Sequence, residues 1–210
     1  MIKILVLLEG IWSVGGCHRA IAEFQKAIIE KCNEHGALYI HDSVPCGYGR
    51  SSDSFGFEAS GVKPDIISMS KGMGNSFPIG GILISLKIDA KFSALGITFG
   101  GNHLACAAGI AVLDVIKEEN LVQKAKEYGE YILAKRMALV ANGKIKEVRD
   151  KEIMIGIDLE GSIREIREKL MFDDKIFIRV SGTNTIRLLP SLNRKKEELD
   201  RFLDVLGKYF

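Results

Sequence analysis

Asp42 and Lys71 combine reactive side chains with positions suited to chemistry. Each follows a short apolar segment with strand character and precedes a loop that contains glycine. In open α/β sheets, ligands bind beyond the carboxyl ends of the strands, where loops present free backbone donors. An amine can act there as a nucleophile or proton carrier, and a carboxylate as an acid or base. The pair therefore predicts a small-molecule site, although an Asp in this place is more often a turn cap and a Lys more often solvated.

The elements that position these two side chains follow from the apolar periodicity. The apolar run at 2–8 predicts a parallel strand buried on both faces. Steps of three and four then predict a helix that ends at Gly36. Its predicted apolar face consists of Ile21, Phe24, Ile28 and Cys32. Strands predicted at 37–40 and 66–70 deliver Asp42 and Lys71, and another strand is predicted at 80–85.

The remainder of the chain predicts two long helices and then a smaller mixture of strands and helices. The first helix begins near Asn102 and the second covers 121–140. The predicted apolar face of the first consists of Leu104, Ala108, Val112 and Val115. Further strands are predicted at 153–159, 176–180 and 185–189, and a helix at 163–171. The face of the last helix consists of Leu199, Phe202, Leu206 and Phe210. We therefore expect an α/β domain with a parallel-rich sheet over 1–118 and an α+β domain over 119–210.

Composition narrows the classes of partner and compartment. The net charge is +2, which gives no electrostatic reason to expect nucleic acid or an anionic membrane. The four cysteines and four histidines show no metal-binding spacing, so we expect no metal site and reduced thiols in a cytoplasm. The apolar start lacks the small-residue cleavage site of a signal peptide, and no stretch reaches the ~20 apolar residues that would span a bilayer.

Three motifs, in this order along the chain, resemble the class III (ornithine-type) aminotransferases, which depend on pyridoxal 5'-phosphate (PLP). They are DSVPCGYGRS at 42–51, PDIISMSKGMGNSFPIG at 64–80 and GITFGGNHLA at 96–105. The C-terminal VR at 148–149, IG at 155–156 and IRLLP at 186–190 are similar to the same family. Within it, the acetylornithine branch is the most similar, judged from EGI at 9–11 and TFGGN at 98–102. The resemblance implies part of a fold type I PLP-dependent transferase large domain with a C-terminal α+β domain.

The resemblance also implies a role for each matching residue. Lys71 would carry the cofactor and shuttle the proton, and Asp42 would keep its pyridine nitrogen protonated. Val44 would pack on the ring face, although it could be core packing. Thr98 would reach the cofactor phosphate across a dimer interface, although it could instead cap the helix near Asn102. Arg187 would bind a substrate carboxylate, although it could be a surface charge.

The implied reaction transfers an amino group from N-acetylornithine, or a related ornithine derivative, to 2-oxoglutarate in arginine biosynthesis. Family enzymes have a long N-terminal portion that this sequence does not contain, so we expect a truncated enzyme. Inside the motifs, Ser43 and Pro45 replace the usual glutamate and glutamine, and Pro45 has no N–H to donate. Near the start, Trp12, Ser13 and Val14 replace glutamine, glycine and glutamate.

These differences leave alternatives of other classes. One is a catalytically impaired remnant. Another is half of a split enzyme, so the expected partner is either a second copy in a homodimer or an N-terminal partner chain. An unrelated nucleotide-binding domain would need a Gly-x-Gly-x-x-Gly turn after the first strand, and residues 9–16 do not contain one.

Overall fold

The computed structural model describes residues 4–89, 91, 96–140 and 145–209, with side chains described at all of these except 136–139 and 150. Contacts divide them into two units. The first comprises described residues within Met1–Ile11, Ala20–Gly49 and Asp53–Leu121. The second comprises those within Trp12–Arg19, Arg50–Ser52 and Val122–Phe210. The sequence does not predict that residues 12–19 and 50–52 belong to the second unit. The two domains predicted from the sequence, 1–118 and 119–210, stay a prediction.

The described residues form ten strands and five α-helices. In chain order these are β1 (Leu5–Glu9), β2 (Ile11–Trp12), β3 (His18–Arg19), α1 (Ala22–His35), β4 (Leu38–Asp42), β5 (Ile66–Met69), β6 (Gly81–Ile84), α2 (His103–Glu118), α3 (Leu121–Val140), β7 (Ile145–Lys151), β8 (Met154–Leu159), α4 (Arg164–Phe172), β9 (Arg179–Ser181), β10 (Thr185–Leu188) and α5 (Lys196–Gly207). Two 3₁₀ turns lie at Glu58–Ser60 and Lys71–Met73. Among the described residues, no helix combines the length and apolar character needed to cross a membrane.

The first unit contains a four-stranded sheet in the order β1-β4-β5-β6. β1, β4 and β5 run parallel, and β6 is antiparallel to β5. The sheet is therefore parallel-rich, as the sequence predicts. α1 packs on one face through Cys32, which joins Tyr39 of β4 and Val62 in a buried cluster. Gly36 ends α1 with φ at 63°, a left-handed conformation that glycine adopts at little cost.

The second unit contains an antiparallel sheet in the order β7-β8-β10-β9. Its core joins α3, α4 and α5 to this sheet through a cluster of buried side chains. The α5 residues Leu199, Phe202 and Leu206 are all buried, as their helical spacing predicts. The sheet and helices give the α+β architecture expected for the C-terminal region.

Several predicted elements differ from the structure. Leu104 and Val115 are 68% and 43% exposed, and α2 instead buries the small residues Ala105 and Gly109. The apolar face that the sequence predicts for α2 is therefore not the face that the described residues bury. Apolar spacing alone does not decide which side chains are covered, because folded proteins also expose large apolar side chains. β7 was not predicted, and the strand predicted at 176–180 is reduced to β9. The predicted positions Ile2, in the first strand, and Phe210, in the last helix, lie outside the described residues.

Candidate active site at the carboxyl ends of β4 and β5

Asp42 is the last residue of β4 and its side chain is held by two hydrogen bonds. The strand register places Asp42 opposite Ser68 of β5. Ser68 Oγ donates to Asp42 Oδ1 at 2.9 Å, and the backbone N–H of Val44 donates to the same oxygen at 2.9 Å. Within the described part of the chain, Oδ2 accepts no hydrogen bond. The carboxylate is therefore fixed through Oδ1, which leaves Oδ2 without a hydrogen bond among the described residues.

Lys71 begins the 3₁₀ turn that follows β5, three residues after Ser68. Its φ is 41°, a left-handed value that is unfavourable for a lysine. Its side chain is exposed, and no described residue forms a hydrogen bond or ion pair with its amine. Lys71 therefore combines an unpaired amine with a left-handed backbone conformation at the carboxyl end of β5.

Tyr48 lies against the backbone that carries Lys71. A Cβ on Gly72 would stand 2.9 Å from Tyr48 Cβ, so only glycine fits here without a shift. Tyr48 Oη also donates to Met69 Sδ at 3.7 Å. Neither Tyr48 nor Ser68 was predicted from the sequence to lie beside Lys71 or Asp42. The signal for Ser68 was the period of two on β5, which puts it on the same face as Asp42 once the strands pair in register.

His41 and Ser43, on either side of Asp42, are completely buried. His41 Nδ1 and Ser43 Oγ are 2.8 Å apart, whereas His41 Nε2 has no hydrogen-bond partner among the described residues. Burial lowers the pKa of His41 to about 4, with the Asp42 charge acting in the opposite direction. His41 is therefore neutral at pH 7 and serves packing and the Ser43 contact rather than acid–base chemistry.

The buried neutral state of His41 predicts acid sensitivity. The unfolded chain takes up a proton at a pKa near 6.5, whereas the folded chain does so only near 4. The contribution of the neutral His41 to the free energy of unfolding is therefore fully present above pH 6.5. It falls by about 3 kcal/mol as the pH drops to 4. Urea unfolding of the parent at pH 7 and pH 4.5 would measure this loss. His41→Gln should remove most of the pH dependence, whereas His35→Gln, at an exposed position on α1, should retain it; equal dependence in His41→Gln and the parent would contradict the assignment.

Cys46 lies at the same end of the sheet and is fully buried. Burial is the largest cause that raises the pKa of its thiol, to about 11. The thiol is therefore protonated at neutral pH and is not a nucleophile.

Thr98 lies in an exposed turn before α2. The structure assigns the helix cap to Asn102, whose side chain accepts a hydrogen bond from the Ala105 N–H at 2.9 Å. The alternative in which Thr98 caps this helix was therefore wrong, and its hydroxyl has no hydrogen-bond partner among the described residues. Val44 is half-buried and contributes its backbone N–H to Asp42.

Arg187 belongs to the second unit, on β10, and is only 9% exposed. It donates from Nε to the Val180 carbonyl at 3.3 Å and from a terminal nitrogen to Ser13 Oγ at 3.2 Å. The alternative in which Arg187 is merely a surface charge was therefore wrong. A buried guanidinium whose hydrogen bonds are long and made to neutral groups retains the capacity to bind an anion.

Arg149 and Asp158 form an ion pair in the same unit. Two guanidinium nitrogens of Arg149 donate to the two carboxylate oxygens of Asp158 at 2.6 and 2.7 Å. Arg149 also donates to the Gly16 carbonyl, and Thr185 Oγ1 donates to Asp158 at 2.6 Å. The hydrogen bonds from Arg149 hold the pKa of Asp158 below its ordinary value. This fully paired network anchors segment 12–19 within the second unit, so we assign Arg149 a structural role.

No cluster of histidine, cysteine and acidic side chains suited to a metal ion occurs among the residues that the structure describes. The polar side chains at the carboxyl ends of β4 and β5 are the Asp42 carboxylate, the Ser68 hydroxyl and the Lys71 amine.

Comparison with known proteins gives these residues a family context. The family model for class III aminotransferases matches residues 5–210. A relative from Methanosarcina acetivorans named acetylornithine aminotransferase is 37% identical over 201 residues, which cover 96% of this chain and 50% of the relative. One from Oceanobacillus iheyensis named ornithine aminotransferase is 39% identical over 198 residues, covering 93% of this chain and 49% of the relative. The chain thus spans about half the length of the curated relatives it matches.

Solved structures agree at the level of the fold. An ornithine aminotransferase from Plasmodium yoelii superposes with a TM-score of 0.88 at 26% identity, covering 96% of this chain and 56% of that one. An S-selective transaminase from an Arthrobacter species gives a TM-score of 0.88 at 28% identity, covering 96% and 50%. The two units therefore have the fold of part of a PLP-dependent aminotransferase.

Proposed function

Because the chain belongs to the class III aminotransferase family, we propose that it supplies Lys71 and Asp42 to a PLP-dependent transfer of an amino group. The observation that carries this proposal is the arrangement at the carboxyl ends of β4 and β5. Asp42 is fixed there through Oδ1 by Ser68 and Val44, and Lys71 follows the neighbouring strand with an unpaired amine.

The donor set fits the cofactor at two of its functional groups. The open oxygen of Asp42 suits a protonated pyridine nitrogen, which is a hydrogen-bond donor. The Lys71 amine suits the cofactor aldehyde, since a primary amine condenses with carbonyl compounds. When bound, PLP supplies a ring that accepts the electrons released as the substrate C–H bond breaks.

The residues of this chain then perform distinct tasks. Asp42 would keep a proton on the pyridine nitrogen, and the ring would then stay electron-poor. Lys71 would hold the cofactor through Nζ, and the same amine would carry the proton that leaves the substrate carbon. Val44 would pack on the ring face, Thr98 would donate to the phosphate of a neighbouring subunit's cofactor, and Arg187 would bind a substrate carboxylate. These last three roles rest on the family resemblance.

We propose N-acetylornithine as the amino donor and 2-oxoglutarate as the acceptor, in the cytoplasm and within arginine biosynthesis. The names of the relatives support an ornithine derivative, and the buried Arg187 supports a carboxylate ligand. The working assembly is a homodimer or a complex with a complementary polypeptide.

A second candidate function is a remnant with impaired activity. It is favoured by the loss of a hydrogen-bonding side chain at Pro45 and by the use of Ser43 to contact His41 rather than a ligand. A mispositioning of about 1 Å in a catalytic site can cost ~100-fold in rate.

Glutamate formation from 2-oxoglutarate tests the proposed function. We would assay the chain with N-acetylornithine, N-succinylornithine and ornithine as donors, alone and after adding the half of a relative that the chain does not match. We expect turnover with N-acetylornithine to require the added half and to disappear in Lys71→Ala. No turnover in either preparation would favour the remnant.

The hydrogen bond from Ser68 gives a finer prediction. Ser68→Ala should weaken PLP binding about fivefold, because Asp42 loses a hydrogen bond whose net contribution is about 1 kcal/mol. Ser68→Thr keeps the hydroxyl and should bind as the parent does. The dissociation constant of PLP, measured by absorbance, separates the two variants. Equal affinity in Ser68→Ala and the parent would show that Ser68 does not orient Asp42.

A further inference from the structure

The second unit contains a cavity of about 870 Å³ between α4, β9, β10 and α5. Binding sites for small molecules commonly have volumes of about 300–1,000 Å³. Among the described residues that line this cavity, Glu198 alone is acidic. Six are basic: Arg167, Lys175, Arg179, Arg187, Arg194 and Arg201. The positive charge of the lining therefore suits a ligand that carries several negative charges.

Two of these arginines face each other across a pair of strands. Arg179 of β9 lies directly opposite Arg187 of β10 in the antiparallel register, so both project from the same face of the sheet. Like charges in this position repel each other. Arg187 donates only to the Val180 carbonyl and the Ser13 hydroxyl, which are neutral, and the side chain of Arg179 has no hydrogen-bond or ionic partner among the described residues. A bound anion would remove the repulsion between the two guanidinium groups.

Three further arginines of the lining are accessible to a ligand. The side chain of Arg167 on α4 has no hydrogen-bond or ionic partner in the described part of the chain. Arg201 on α5 reaches only the backbone carbonyl of Asp174, at 3.4 Å. Arg194 pairs with Glu198 at 3.6 Å, an exposed contact of little strength. All three arginines are exposed, so an anion could bind them without breaking a buried interaction.

An apolar surface borders the charged one. β9 pairs with β10 only as far as Arg179, and the preceding residues 176–178 belong to no strand. There Ile176, Phe177 and Ile178 line the cavity. Phe177 is 82% exposed, and an aromatic ring in water gains stability when a flat apolar group covers it. The lining therefore suits a ligand that is anionic at one end and aromatic at the other.

We propose that this cavity binds a nucleoside polyphosphate, with the phosphates on the arginines and the base against Phe177. Guanidinium groups form paired hydrogen bonds with phosphate oxygens. A carboxylate offers only two oxygens, whereas a triphosphate offers enough to engage several arginines at once. The proposal concerns the second unit alone and does not rest on the proposed transamination. Arg187 keeps its own proposed role toward a substrate carboxylate and stays unchanged in the test.

Calorimetric titration of the whole chain tests the proposal with ATP, tripolyphosphate and adenosine as probes. ATP should bind more tightly than either of the other two, because only ATP carries both the phosphates and the base. Added salt should weaken the binding of ATP, since it screens the attraction between the arginines and the phosphates.

Variants separate the two parts of the proposed site. Arg179→Ala should weaken ATP binding at least ~10-fold, because it removes charge-assisted hydrogen bonds to phosphate. The matched control is Arg164→Ala, at an exposed position on α4 that does not line the cavity, and it should bind ATP as the parent does. Phe177→Ala should weaken ATP binding at least ~5-fold and leave tripolyphosphate binding unchanged, because only the base contacts the ring. Melting temperatures equal to that of the parent would show that the variants fold.

A further variant separates this cavity from the candidate active site. Lys71→Ala should bind ATP as the parent does. Loss of ATP binding in Lys71→Ala, equal affinity in Arg179→Ala and the parent, or binding of ATP no tighter than that of tripolyphosphate would overturn the proposal. ATP binding by a chain without transaminase activity would support it while counting against the proposed function.

Discussion

Borohydride treatment of the chain with PLP should place the cofactor on Lys71, and Lys71→Ala should reduce that label to background. The reason is the position of the amine: it follows β5 at a strand end, is exposed, and has no hydrogen-bond or ionic partner among the described residues. Reduction makes the bond between Lys71 Nζ and the cofactor permanent. Peptide mapping by mass spectrometry then identifies the labelled lysine.

The control for this prediction is another exposed lysine of the first unit. Lys63→Ala should label as the parent does, because Lys63 lies in the loop before β5, at the opposite end of that strand from Lys71. Label on a different lysine, with none on Lys71, would overturn the assignment. This experiment detects binding and needs no turnover, so it applies even to a catalytically silent chain.

The sequence predicted the part of the site that depends on local pattern. A strand that ends in Asp42 and another that ends before Lys71 follow from apolar runs bounded by glycine and proline, and the structure has both as β4 and β5. Their parallel pairing is what brings the two carboxyl ends to one edge of the sheet. Local propensity and tertiary structure agree here, so the two strands were predicted correctly, whereas the roles of Asp42 and Lys71 stay a prediction.

The parts that depend on long-range contacts could not be predicted in the same way. Arg187 was open to interpretation as a surface charge, because its burial depends on Val180 and on Ser13, 174 residues away in the sequence. In the sequence, Ser68 has the pattern of an ordinary strand residue. Only the register of β4 and β5 shows that it lies opposite Asp42. Apolar spacing on α2 gave the wrong face for a related reason: its contacts use Gly109 and Ala105, whose small size allows close approach.

The polar pair of His41 and Ser43 shows how an altered motif can remain structurally consistent. Ser43 replaces an acidic residue of the family pattern, yet it is buried and its hydroxyl lies 2.8 Å from His41 Nδ1. This contact satisfies two polar groups that would otherwise be costly to bury. The replacement by Ser43 therefore removes a charge from the motif, and the serine hydroxyl forms a buried polar contact beside Asp42.

Asp42→Asn should lower the transamination rate by about 100-fold to 1000-fold, the range found when one electrostatic contact to a developing charge is removed. The amide retains an oxygen that can accept from Ser68 and Val44, so the local structure should persist. It carries no negative charge, however, and cannot keep a proton on the pyridine nitrogen. The loss should therefore appear in kcat, with little change in thermal stability.

The measurement uses whichever preparation turns over, the chain alone or its complex with the complementary half. We would record kcat for glutamate formation, the melting temperature and the bound PLP for Asp42→Asn and for Asp89→Asn, an exposed control in the first unit. Asp89→Asn should match the parent in all three. Equal kcat in Asp42→Asn and the parent would remove the electron-sink role, and parallel losses of kcat and melting temperature would reassign Asp42 to structure. A fall in kcat alone would show that the open oxygen of Asp42 acts on the reacting group, since Oδ1 alone maintains the contacts to β5 and to the following turn.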